Sequence, residues 1–134
     1  MMRESPIQQR ILFALGTGLT RLFRVNTGIA YAGSKVDRIS GKPRMVMCYP
    51  GDAIVRGAQP IRMGLCNGGS DLIGWTTVDG VAVFTAIEVK AERGRVSPEQ
   101  QHFIDTVKAA GGIAGVARSE DEARLLLTFP RTGG

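Results

Sequence analysis

Glu88 and Lys90 close the run VAVFTAIEVK, residues 81–90, which is otherwise apolar and β-branched in the manner of a buried strand. Standing two positions apart, they point to the same side of that strand. Asp79-Gly80, just inside the preceding turn, is a strong short hairpin signal, and DLIGWTTV, residues 71–78, has strand composition. A two-residue turn pairs Val78 with Val81, and every opposed pair then sums to 159. Trp75 meets Phe84 as a cross-strand aromatic pair, and Asp71 falls opposite Glu88 with Cβ atoms ~5 Å apart. Two carboxylates so placed repel one another. A divalent cation between them turns repulsion into ligation, and oxygen-only ligands favour Mg²⁺ or Mn²⁺ over softer metals. Lys90 beside them can orient or activate a water and offset the charge of an anionic substrate. The combination suits metal-assisted hydrolysis of a phosphodiester. The plainer reading is a turn aspartate and an ion pair at a strand end, and a three-residue loop would shift the register and undo the pairing.

The elements that must hold these residues follow from the flanking sequence. Residues 5–15 are predicted to form a helix, with Ser5 as N-cap, Pro6 at the first helical position and a stripe of Ile7, Ile11 and Leu15. Residues 20–26 have the composition of a strand. From Gly28 to Asn67 the glycines, prolines and short apolar runs suggest a small β-rich excursion carrying many basic residues. Ser97 with Gln100 makes a capping box with Pro98 at the first helical position, opening a helix that runs to Gly111-Gly112. IAGVA, residues 113–117, is a strand expected to lie parallel to the one at 81–90 through a right-handed crossover. Ser119 with Glu122 opens a last helix through Leu127. The order is α, β, irregular β, β-hairpin, α, β, α, which places the chain in the α/β class.

Composition narrows the classes of function. A chain of 134 residues fits one domain, residues 1–134, with a single core. No apolar run approaches a membrane span, and the N-terminal stretch lacks a small-residue cleavage site, so a cytoplasmic location is expected. Cys48 and Cys66 with a single histidine do not make a zinc site of the usual kind. Residues 1–62 hold ten Lys/Arg against three Asp/Glu, and residues 63–134 hold seven against nine, giving the net +5. A basic half beside an acid-bearing half suits a polyanion partner, although basic surfaces also serve solubility alone.

The motifs G-x-S-D-L-I-G, I-E-V-K and G-R-x-S-x-E-Q, followed by a helix ending in G-G, resemble the VRR-NUC domain of the PD-(D/E)xK nuclease superfamily. The resemblance is specific over residues 68–117 and weak over 28–66. It implies a restriction-endonuclease-like core, a mixed central β-sheet flanked by helices with a β-hairpin carrying the site. It implies Asp71 and Glu88 as metal ligands, joined by the backbone carbonyl of Val89, with Lys90 as the catalytic lysine and Gln100 in support. Glu4, Ile7 and Gln8 match the family's N-terminal element, which makes Glu4 a further candidate ligand. Ser70 stands where the superfamily has the proline that names it, a position that shapes the turn and ligates nothing.

Each of these secondary positions has a structural alternative. Gln100 can serve only its capping box, Glu4 only the helix dipole, and Gln8 only packing. Arg93 and Arg95 follow the strand in a loop suited to phosphate contacts or to plain solvation. His102 reads as a surface histidine, and Trp75 as core packed on Phe84 rather than a base-stacking platform. The resemblance thus implies a Mg²⁺- or Mn²⁺-dependent nuclease acting on DNA, structure-selective toward Holliday junctions or other branched DNA, and a homodimer. The alternative is a catalytically inactive nucleic-acid-binding module on the same scaffold.

Overall fold

The computed structural model describes residues 3–25, 28–29 and 36–128. The chain divides into two compact units, Met1–Thr27 with Gly64–Gly134, and Gly28–Met63. In chain order the elements are α1 (Glu4–Leu15), β1 (Thr20–Arg24), β2 (Gly28–Ile29), β3 (Arg62–Met63), β4 (Leu72–Val78), β5 (Val81–Val89), α2 (Pro98–Ala109), β6 (Ile113–Ala117) and α3 (Glu120–Thr128).

The larger unit is a four-stranded sheet in the order β1-β4-β5-β6. β4 runs antiparallel to both β1 and β5, while β6 lies parallel to β5 after the crossover through α2. Strand alternation divides the apolar residues between two faces. On one, Leu22, Leu72, Ile87, Val89 and Ala117 pack with Ile7, Ile11 and Leu15 of α1 and Ala123 of α3. On the other, Ala86 and Ala114 pack against Ile104 of α2, flanked by Ile73, Phe103, Val107 and Val116. β5, covered on both sides from Thr85 to Val89, is the strand that carries Glu88.

The hairpin forms with the predicted register. Val78 pairs with Val81 and Trp75 with Phe84. Asp79 and Gly80 both have positive φ, 50° and 77°, as a turn matching the strand twist requires. The Ile7, Ile11 and Leu15 stripe is buried as expected.

Three local expectations are corrected. The α1 N-cap is Arg3, with no side-chain cap, rather than Ser5. Starting two residues earlier sets the Glu4 carboxylate at the positive end of the helix, and Pro6 still falls in the first turn, where no N–H is needed. Strand β1 stops at Arg24, although Val25 N–H still donates to the Asp71 carbonyl at 2.8 Å. Trp75 is not core. It is 40% exposed and Phe84 44%, because α2 packs over Ile73, Ala86 and Ala114 and leaves the face uncovered toward the hairpin turn. The ring that Trp75 touches is Phe23, with centroids 5.8 Å apart and planes 44° apart.

In the smaller unit β2 and β3 pair antiparallel, Gly28 with Met63 and Ile29 with Arg62. Residues 36–61 form neither helix nor strand, and every residue from 36 to 63 is exposed. The expected β-rich excursion is therefore reduced, among the described residues, to these two short strands. A segment of this size, broken by glycine and proline, has too little apolar area to enclose a core of its own.

Candidate active site

Leu72 with Ile87 is the last ladder pair of the hairpin, and one step beyond it Asp71 comes opposite Glu88. Asp71 is held at two points. Its carbonyl accepts from Val25 N–H, and its Oδ2 accepts from Val89 N–H at 2.9 Å. The second bond ties the carboxylate to the end of β5, next to the residue it faces.

Glu88 is 1% exposed. Its Oε1 accepts a hydrogen bond from Gln100 Nε2 at 2.9 Å and lies 3.4 Å from Lys90 Nζ. Its Oε2 is buried and has no partner among the described residues. A buried carboxylate oxygen without a donor is costly unless something positive or protonated meets it. The electrostatics agree. Burial first, and then the neighbouring Asp71 carboxylate, push the Glu88 carboxyl up to about 7, against the opposing pull of Lys90.

Gln100 performs both of the roles that its sequence position allowed. Its backbone N–H bonds Ser97 Oγ at 3.1 Å, and its Oε1 accepts from Ser97 N–H at 2.9 Å, completing the capping box. The remaining amide nitrogen reaches Glu88. Because an amide donates and accepts through different atoms, the helix cap and the carboxylate share one side chain without competing.

The turn before β4 fixes where α2 begins. Gly68 has φ +82°, and a side chain there would run into the backbone of Glu99 and Gln100. Only glycine lets the turn lie directly against the first residues of the helix. The loop between Lys90 and α2 is held from β6. Arg118 Nη1 donates to the carbonyls of Ala91 at 3.0 Å and Gly94 at 2.8 Å. Sequence reading missed Arg118, since an arginine just after a strand carries no local signal of a partner 24 or 27 residues away.

Asp71, Glu88, Lys90 and Gln100 are thus brought together, with the Val89 backbone between the last two residues of the strand motif. Glu4 comes to the adjoining loop, where its Oε1 stands 3.4 Å from the position a Cβ would take on Gly94. Among the described residues, no group of three or more His, Cys, Asp and Glu side chains gathers closely enough to hold an ion. Arg93 and Arg95 are exposed in that loop, and His102 is exposed on α2. Gln8 is buried with an unpartnered Oε1. No helix among the described residues is long and apolar enough to cross a membrane.

A family model described as the VRR-NUC domain matches residues 26–121, more than half of the chain. The chain belongs to the VRR-NUC family. VRR-NUC domains are nuclease domains of the PD-(D/E)xK superfamily, with DNA as the substrate that this implies. The mixed four-stranded sheet flanked by helices agrees with the restriction-endonuclease-like fold of that superfamily. The VRR-NUC match takes in the hairpin, the loop and α2, and begins after α1, so Glu4 and Gln8 lie outside it. Neither the curated proteins nor the solved structures compared with the chain gave a match.

Proposed function

We propose that the protein is a divalent-metal-dependent nuclease that hydrolyses DNA phosphodiester bonds at Asp71, Glu88, Lys90 and Gln100. One observation carries this reading: Glu88 is buried with one oxygen held and the other left without a donor, opposite a second carboxylate. A structural ion pair needs no such spare oxygen, and a hydrogen-bonded core position would have filled it.

The donor set fits Mg²⁺ or Mn²⁺. Both are hard cations that take oxygen ligands, and Mg²⁺ commonly uses one or two carboxylates and completes its shell with water and phosphate. Asp71, Glu88 and the backbone carbonyl of Val89 would hold the ion, and the remaining positions would be left to water and substrate. Glu4 at the adjoining loop is the further candidate for contact through water. When bound, such an ion polarises the phosphoryl group and lowers the pKa of a coordinated water.

The chain's own groups supply the rest. Gln100 holds Glu88 Oε1 and so leaves Oε2 as the oxygen free for an ion. Lys90, tethered to the same Oε1, brings an ammonium to the place where the attacking water and the phosphate oxygens must meet. It positions the water and offsets the negative charge that grows on phosphorus-bound oxygens during attack. Hydrolysis adds water across a P–O bond, so the water gives up a proton and the departing oxygen gains one. Arg93 and Arg95, exposed in the loop after Lys90, would contact backbone phosphates. Selectivity for branched or junction DNA and action as a homodimer are the finer parts of this reading, and they rest on the family resemblance.

The test is cleavage of junction, flap, single-stranded and duplex DNA with Mg²⁺, Mn²⁺ or EDTA. Cutting should require the metal and fall by more than about a hundredfold in Glu88→Ala. DNA binding without cutting under any metal would assign the protein to the binding-module alternative.

A further inference from the structure

The sheet face that carries Asp71 and Glu88 continues, away from the site, into an open aromatic surface. By strand alternation Asp71, Ile73 and Trp75 of β4 share this face, as do Phe84, Ala86 and Glu88 of β5. Phe23 of β1 joins them through its ring contact with Trp75. α2 covers Ile73 and Ala86, but Phe23, Trp75 and Phe84 remain 55%, 40% and 44% exposed. Arg21, the cross-strand neighbour of Trp75, donates from its guanidinium to the Gly16 carbonyl at 3.3 Å.

We infer that Phe23, Trp75 and Phe84 form a stacking platform for unpaired bases of the DNA strand that enters the site. The inference rests on the nuclease reading above and deepens it by naming the substrate feature that the site selects. Three observations favour bases over another occupant. The platform lies on the same face as the carboxylates, ~14 Å from them at the rise of a strand, which is the reach of a few nucleotides. It is built from rings, whose faces stack on any base, rather than from aliphatic side chains. The chain's net charge of +5 favours a polyanionic strand over a neutral occupant. Paired bases have their faces covered by their neighbours, so the platform engages only single-stranded or unpaired segments. Arrival of an unpaired strand at the site is then favoured over arrival of continuous duplex.

Trp75 is the single tryptophan of the chain, so its fluorescence reports on the platform alone. The full chain, as wild type and as Glu88→Ala, is titrated in EDTA with an oligothymidylate of about 15 nucleotides and with a duplex of equal length. Binding is followed in parallel by anisotropy of a labelled strand. Quenching that saturates with the single strand at the anisotropy midpoint, and is weaker with duplex, supports the platform. Phe23→Leu and Phe84→Leu, which keep the apolar volume, should each lower the single-strand to duplex affinity ratio by roughly tenfold. Single-strand binding with unchanged emission overturns the inference, as does absence of single-strand binding. Emission that shifts on diluting the protein alone assigns the face to a second copy and overturns it equally. Because no cutting is needed, a failure of stacking is read separately from a failure of catalysis.

Discussion

At the scale of single residues, Glu88 is the group whose environment departs furthest from its ordinary state. Its folded pKa of about 7 stands above the ordinary 4.5, so the folded chain binds this proton more tightly than the unfolded chain does. The corresponding stabilisation is complete below about 4.5 and is lost as pH rises through about 7. In EDTA at pH 8, Glu88→Gln should therefore be more stable than wild type, by roughly 2–3 kcal/mol, and the difference should vanish toward pH 4; thermal melts at both pH values check this. A cation entering the site must displace that same proton. Mn²⁺ affinity, measured by calorimetry, should rise about tenfold per unit up to pH 7 and then level off. Gln100 is the second informative residue, since it caps α2 and holds Glu88 at once. Gln100→Ala should cost about 1 kcal/mol of stability through the cap and reduce cutting by about 10- to 100-fold by releasing the carboxylate. A residue serving only the cap would change the melting temperature and leave turnover per folded molecule intact.

At the scale of elements, the site is the meeting of a hairpin end with a helix start, and the contact between them is made of backbone. The turn at Gly68 touches the first residues of α2 so closely that a methyl group has no room. Gly68→Ala must either push α2 away or distort the turn, and it also strains a positive φ. A loss of about 2–4 kcal/mol is expected, with cutting reduced further than the fraction unfolded accounts for, because Gln100 moves with the helix. Denaturant titration beside an activity assay at matched folded fraction separates the two effects. Arg118 acts on the opposite side, where two carbonyls of the loop following Lys90 converge on one guanidinium nitrogen. The elements themselves were legible in the sequence because each has a local signature, namely the Asp79-Gly80 turn, the Ser97/Gln100 capping box and the apolar stripe of α1. The α1 N-cap was misplaced because a proline in the first turn is compatible with more than one starting residue.

At the scale of the whole chain, charge is the property that bears most on function. An excess of basic residues makes DNA affinity fall with salt through counterion release. For a footprint of a few phosphates, affinity should drop by roughly 10- to 100-fold between 50 and 200 mM salt. Replacing Arg93 and Arg95 together by alanine should shallow the log–log salt slope by about 2 if both meet phosphates; an unchanged slope would return them to solvated loop charge.

What the sequence determined by itself is whatever depends on neighbours in the chain. The turn chemistry at Asp79-Gly80 sets the register, and the register sets Asp71 against Glu88, because strand pairing is counted from the turn outward. The family resemblance was likewise carried by short motifs around these positions. The tertiary structure decided what depends on coverage and on distant partners. Trp75 and Phe84 were paired correctly but assigned to the core, because alternation shows which side of a sheet a residue points to and not whether a helix covers that side. Whether Gln100 caps or reaches the site, and which arginine pins the loop, depended on the approach of α2 and β6 to the hairpin. That approach is set by the packing of Ile104 on Ala86 and Ala114, a contact between residues far apart in the chain.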